Sequence, residues 1–173
     1  PEDTPLFKKI TLKIGSVDTQ VIAPWFTFKI TDQLVGLAYD SVIWSINANY
    51  SESELLTQLA DAQLNYIKDQ IGLARNENKK IILHNHIPIH CNYFNKSFQN
   101  NWIVKYTKEF DNLIKSNSDI VILIFSTHIH VSPLSIRKDQ NKLYMPVISL
   151  PAISPSNNSS PGFSVIKYST TEA

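Results

Sequence analysis

The sequence predicts an α/β fold, and three observations carry that prediction. Helical and strand patterns alternate through the middle of the chain in the order helix, strand, loop, helix, strand, loop. The two central strand candidates, Ile81-Ile-Leu83 and Asp119-Ile-Val-Ile-Leu-Ile-Phe125, are continuous apolar runs, as parallel strands covered on both faces require. Both runs lead directly into a histidine pair, and function in such sheets collects where the carboxyl ends of the strands and their loops converge.

The first part of the chain reads as β. Ile10-Thr-Leu-Lys-Ile14 and Trp25-Phe-Thr-Phe-Lys-Ile30 alternate apolar and polar residues, the period of a half-buried strand. Val35-Gly-Leu-Ala-Tyr39 and Val42-Ile-Trp-Ser-Ile46 are more uniformly apolar and suit buried strands, with Asp40 starting a turn between them. Ser51 and Glu54 have capping-box spacing, so a helix is expected to start there. Leu64, Ile67, Ile71 and Ala74 give it one apolar stripe, and Arg75, Lys79 and Lys80 suit the negative end of its dipole. The strand 81–83 runs into His84-Asn-His-Ile-Pro88. A second helical stripe comes next, with Trp102, Ile103, Tyr106, Phe110, Leu113 and Ile114 on one side. The strand 119–125 ends at Ser126-Thr-His-Ile-His130, and Val147–Leu150 and Phe163–Tyr168 are expected to finish the chain as strands.

Composition excludes several classes. A chain of 173 residues, 43% hydrophobic and 18% charged, is an ordinary globular domain with room for a core. A net charge of +1 leaves no nucleic-acid-binding footprint, and no apolar run reaches the roughly 20 residues of a transmembrane segment. The single cysteine, Cys91, rules out an internal disulfide framework. The chain opens on Pro1 with no signal-peptide pattern, which reads as one part of a longer protein. Asn49, Asn95, Asn157 and Asn158 head glycosylation sequons, which an Asn- and Ser-rich chain also produces by chance.

His128-Ile-His130 is an HxH pair, and in an extended segment both rings point to one face. Neutral imidazole is the commonest nitrogen ligand for metals. Two solvated loop histidines would have the same spacing. His84-Asn-His86 repeats the arrangement, with Pro88 stiffening its loop. Two such pairs at the tips of neighbouring strands make a metal site the stronger reading.

A hydrophobic strand ending in His-Ile-Pro, then a helix, a strand and His-x-His, resembles the last two blocks of the calcineurin-like metallophosphoesterases, whose usual form is Gly-His-x-Pro and Gly-His-x-His. More narrowly, the chain is similar to the acid sphingomyelinase-like phosphodiesterases. Ala62-Gln-Leu-Asn-Tyr-Ile67, Ile87-Pro88 with His90-Cys91, Leu150-Pro-Ala-Ile-Ser-Pro155, Ser160-Pro-Gly-Phe163 and Tyr168 carry that likeness, which spans roughly residues 35–170. Purple acid phosphatases share the helix and histidine pattern but match the ending less well. Thr127 and Asn85 stand where the family usually has glycine, or glycine or alanine.

The resemblance implies a metallophosphoesterase-type β-sandwich flanked by helices, with residues 1–173 forming its C-terminal half. It implies two divalent metal ions, zinc foremost and iron or manganese as alternatives. His86 and His128 would ligate one ion and His130 the other. The remaining ligands and the proton donor would come from an N-terminal half, so no catalytic residue is identifiable in this chain. His84, Asn85, His90 and Tyr93 would lie around the ligands or line a substrate groove, although His84 has no role in the family pattern and reads first as a structural residue. The implied reaction is hydrolysis of a phosphomonoester or phosphodiester, sphingomyelinase-like or nucleotide-type, by metal-bound hydroxide. An inactive phosphoesterase-like scaffold is the rival. The family also points to a secreted, lysosomal or cell-surface location. Trp25, Trp44 and the Trp102-Tyr106-Phe110 stripe read as core, while Tyr93 and Phe94 are candidates for the groove.

Overall fold

The computed structural model describes residues 8–48, 53–92, 97–140, 142–155, 160–167 and 169, with the backbone alone at 91–92 and 97–99. Its elements, in chain order, begin with β1 (Lys9–Ile14), β2 (Val17–Ile22), β3 (Phe26–Lys29) and β4 (Leu34–Ala38), followed by a 3-10 turn at Ser41–Trp44. Then come α1 (Glu54–Asn76), β5 (Lys80–His84), β6 (His90–Asn92), β7 (Ser97–Asn100) and α2 (Val104–Ser116). The strands β8 (Val121–Ser126), β9 (Leu134–Asp139) and β10 (Lys142–Ser149) complete the set.

A six-stranded sheet runs β3-β4-β5-β8-β10-β9. Its four inner strands are parallel, and the two edge strands are antiparallel to their neighbours. β1 pairs with β2, and β6 with β7, as separate hairpins. Gly15 turns the first hairpin at φ 57°, a backbone conformation that glycine adopts without penalty.

Parallel register sets which face each residue serves. Leu37, Leu83, Ile124 and Val147 form one cross-strand row. This row is buried with Leu64, Ile67 and Ile71 of α1 and Phe110 and Ile114 of α2 in one core. Both helices therefore cover the same face. The alternate row, Ala38, His84, Phe125 and Ile148, belongs to the opposite face. There Ile82, Leu123, Phe125 and Ile148 are only half-buried. Phe28 of β3 lies over Gly36 on that side, and an added Cβ would meet its ring at 2.2 Å.

The expected α/β architecture is present, and the departures have local causes. Val42–Ile46 is not a strand, because Asp40 accepts a hydrogen bond from the Val42 N–H (2.9 Å) and starts the 3-10 turn that buries Trp44. The first helix begins at Glu54, where the Ser53 hydroxyl accepts from the Leu56 N–H (3.2 Å), whereas Ser51 lies outside the described residues. Among the described residues, 160–167 form no strand, and the Phe163 side chain is 84% exposed. The place beside β10 is taken by β9, whose mixed sequence Leu-Ser-Ile-Arg-Lys-Asp reflects an edge strand rather than a buried one. Tyr168 and the sequon asparagines Asn49, Asn95, Asn157 and Asn158 lie outside the described residues.

Candidate metal centre

β5 and β8 are adjacent and parallel, so the loops after them leave the sheet side by side. The first loop is fixed to the core at almost every peptide. The Asn85 N–H donates to the Phe125 carbonyl (2.9 Å), and the Ile87 N–H to the Ser41 hydroxyl (2.7 Å). The Ile87 carbonyl accepts from the buried Trp102 indole (3.0 Å), and the Pro88 carbonyl from the Asn101 amide (2.9 Å). The buried Gln63 amide clasps both backbone groups of Asp40, each at 2.9 Å, which holds the neighbouring β4 exit in place.

Beneath the loops runs a buried polar chain. The Asn85 side chain donates to the Tyr39 hydroxyl (2.5 Å) and accepts from the Ser126 hydroxyl (2.6 Å), tying the ends of β4, β5 and β8 together. Burial pushes the Tyr39 phenol well above its ordinary range, so it remains a neutral hydroxyl.

The second loop leans on the first, because the Thr127 and His128 N–H groups both donate to the His86 carbonyl (3.1 and 3.0 Å). This brings the two rings edge to face, with centroids 5.0 Å apart and planes at 74°. His86 Nε2 stands 3.2 Å from His128 Nδ1, while His86 Nδ1 is 3.0 Å from the Thr127 hydroxyl. Partial burial holds His128 below the ordinary histidine pKa, and the neighbouring His86 and His130 add to that effect. A neutral imidazole is the form that ligates metals.

The other expected residues are distributed around this pair. His130 acts electrostatically on His128 and sits at φ 58°, a backbone state uncommon for any residue other than glycine. β5 ends at His84, so the strand alternation that would place His84 and His86 on one face stops there. His84 lies on the sheet face away from the helices, and burial, then the charge of His86, lowers its pKa. Asn85 is 2% exposed and serves the polar chain rather than a groove. His90 is also off the pair. Its Nδ1 is 3.0 Å from Asn100 Oδ1, and it lines a cavity of about 150 Å³ with Ile89, Arg137, Met145 and Val147. Tyr93 and Phe94 lie outside the described residues. Among the described residues, no group of three His, Cys, Asp or Glu side chains is arranged to hold one metal ion.

Sequence patterns missed Ser41, Ser126 and Trp102 as supports of the site, since single hydroxyls and a core tryptophan carry no spacing signal. Asn85 and Thr127 did carry one. Both interrupt an expected small-residue pattern, and both turn out to make side-chain hydrogen bonds at the site.

No family model matches the sequence, and no curated protein does. Among solved structures, the fold is similar to a dimetal phosphatase from Danio rerio, with a TM-score of 0.50 and 13% identity over 73% of this chain. The match takes in 48% of that phosphatase, so this chain spans about half its length. A protein assigned as a 5'-nucleotidase from Staphylococcus aureus aligns with a TM-score of 0.41 and 11% identity, over 74% of this chain and 24% of that one. The first of these likenesses is one of fold, an α/β architecture shared with part of that phosphatase.

Proposed function

We propose that this chain is the C-terminal half of a two-metal phosphoesterase, in which His86 Nε2 and His128 Nδ1 hold one ion and His130 serves the other. The observation that carries this reading is the pair of facing nitrogens, 3.2 Å apart at the ends of adjacent parallel strands. Two ligands on a tetrahedral zinc ion, each at about 2.0–2.1 Å, stand roughly 3.3 Å apart, so the spacing of the pair matches that of two ligands on one ion. A bound cation would take the place of the contact between the two nitrogens, with each ring neutral and its proton on the nitrogen turned away from the metal, and the lowered His128 pKa favours that neutral form. Zinc suits imidazole best, with iron or manganese as alternatives.

Two imidazoles do not complete a coordination shell. The reading therefore requires carboxylate ligands and a proton donor from an N-terminal half of the same protein. The half-buried apolar row Ile82, Leu123, Phe125 and Ile148 supports that partner, because parallel sheets are ordinarily covered on both faces. When bound, the two ions would polarise the phosphate oxygens and supply the attacking nucleophile. This chain's part is to fix two ligand nitrogens on a backbone anchored to the core and to keep His128 neutral. The substrate would be a phosphomonoester or phosphodiester, of the sphingomyelin or nucleotide type. Glycosylation at the sequons would accompany a secreted or lysosomal location.

A second reading, an inactive phosphoesterase-like scaffold, rests on Thr127 and Asn85 standing where the resembling family has glycine, or glycine or alanine. Metal content measured beside steady-state rate in the complete protein separates the two. The enzyme reading expects His86→Ala and His128→Ala to lose the same ion, and His130→Ala to lose the other. It also expects His84→Ala to cost only about 10–100-fold. Full metal occupancy and turnover in His86→Ala and His128→Ala would sink the metal assignment.

A further inference from the structure

The backbone around His86 is held from several sides, but its ring is not held by the backbone. The His86 carbonyl accepts from two N–H groups, and the next residue, Ile87, is bonded at both its N–H and its carbonyl. What remains free is rotation about the Cβ–Cγ bond, a soft and roughly two-fold torsion. A half-turn there exchanges Nε2 with a ring carbon, and the face presented to His128 becomes apolar. In this structure Nδ1 meets the Thr127 hydroxyl at 3.0 Å, on the side of the ring away from His128. A flipped ring would offer that hydroxyl a carbon and lose the bond.

We propose that Thr127 is a positioning residue for metal capture, whose hydroxyl holds His86 Nδ1 and so keeps Nε2, rather than a carbon, facing His128. The proposal rests on the reading of His86 and His128 as ligands of one ion. With zinc bound, Nδ1 carries the ring proton and donates it to Thr127 Oγ1, while the Nε2 lone pair faces the metal. The position suits the task. Thr127 follows Ser126 directly, and Ser126 is tied to the residue before His86 through the Asn85 side chain (2.6 Å). The hydroxyl is thereby carried at a fixed height against the ring it addresses. Glycine at 127, as in the resembling family, supplies no such hydroxyl and leaves ring orientation to other groups. In this chain, therefore, a departure from the family pattern marks a substituted mode of ligand orientation.

The test uses the complete protein that carries these 173 residues, its Thr127→Val variant, which keeps the shape and removes the hydroxyl, and Thr127→Ser, which restores it. Two-bond proton–nitrogen NMR spectra of the imidazoles report the ring state without metal, and zinc titration followed on the same signals gives affinity. Wild type and Thr127→Ser are expected to show one His86 ring state, Thr127→Val a mixture, and zinc to bind the valine variant about 10–100-fold more weakly. Zinc binding at equal strength in wild type and Thr127→Val, with an unchanged His86 spectrum, overturns the proposal and leaves the metal reading standing. Failure of zinc to shift His86 or His128 in the wild type overturns the metal reading itself, and the proposal with it.

Discussion

The two histidine loops sit side by side but are held in different ways. Residues 85–89 are bonded downward into the core, through Phe125, Ser41, Trp102 and Asn101. Residues 127–133 are bonded sideways, to the His86 carbonyl at one end and through the Ser149 N–H to the Pro133 carbonyl (3.1 Å) at the other. Between those ends lies His130 in a left-handed conformation. The first loop is therefore a template and the second a follower, and His128 inherits its place from His86. Damage to the first loop should reach both histidines, while damage to the second should stay local.

The strongest test removes the template's main prop. Trp102 is fully buried, packs edge-on against Trp44 and Phe110, and donates to the Ile87 carbonyl. Trp102→Ala is expected to cost about 3–5 kcal/mol in urea unfolding, from lost packing and the cavity left behind. The signals of both His86 and His128 should broaden or shift with it.

Asn85→Ala comes next. It strips the Tyr39 and Ser126 hydroxyls of a buried partner, and the expected cost is about 1–3 kcal/mol. His128→Ala, on an exposed side chain of the follower, should stay within about 0.5 kcal/mol. Equal costs for the two substitutions, measured by the same denaturation, would remove the distinction between template and follower.

How much of this was legible beforehand depends on the kind of signal. The inner strands and both helices follow from periodicity, because burial on a repeating face imprints the sequence directly. Leu64, Ile67 and Ile71 are buried as their spacing requires. The placing of both histidine pairs at strand ends was legible for the same reason. β9 was not, since an edge strand buries little and its apolar alternation stops after Leu134 and Ile136. The turn at Ser41–Trp44 was hidden by its own apolar content, and only the Asp40 side chain redirects it. The template character of the first loop was beyond reach, because Ser41, Trp102 and Asn101 are brought to it by tertiary contacts from distant sequence.

A smaller effect sharpens the comparison at the far end of the first loop. Burial holds His90 below its ordinary pKa, and Arg137 pushes the same way, while the hydrogen bond to Asn100 and the charge of Asp111 oppose them. His84 and His128 are lowered as well, each chiefly by burial. A histidine lowered in the folded state favours unfolding once it must charge. Its contribution is complete above about pH 6.5 and is lost as pH falls through the lowered folded value. The melting temperature should therefore hold above that pH and decline below it. His90→Asn, which keeps an amide donor for Asn100, should flatten the decline. An unaltered acid slope would assign the pH dependence to His84 and His128, the other lowered histidines.

A gain rather than a loss is expected from the most direct probe of the follower. At φ 58°, a non-glycine residue carries a steric cost of roughly 1–2 kcal/mol, which glycine escapes. Glycine in turn brings extra unfolded-state entropy, worth about 0.5–1 kcal/mol against folding. His130→Gly should therefore leave stability unchanged or raise it by up to about 1.5 kcal/mol. The His86 and His128 ring signals should keep their mutual contact, because the Thr127 and His128 N–H groups hold the His86 carbonyl whatever side chain stands at 130. A loss of more than about 1 kcal/mol, or separation of the two rings, would show that the His130 side chain itself anchors the second loop. His128 would then owe its position to its own loop as well as to its neighbour.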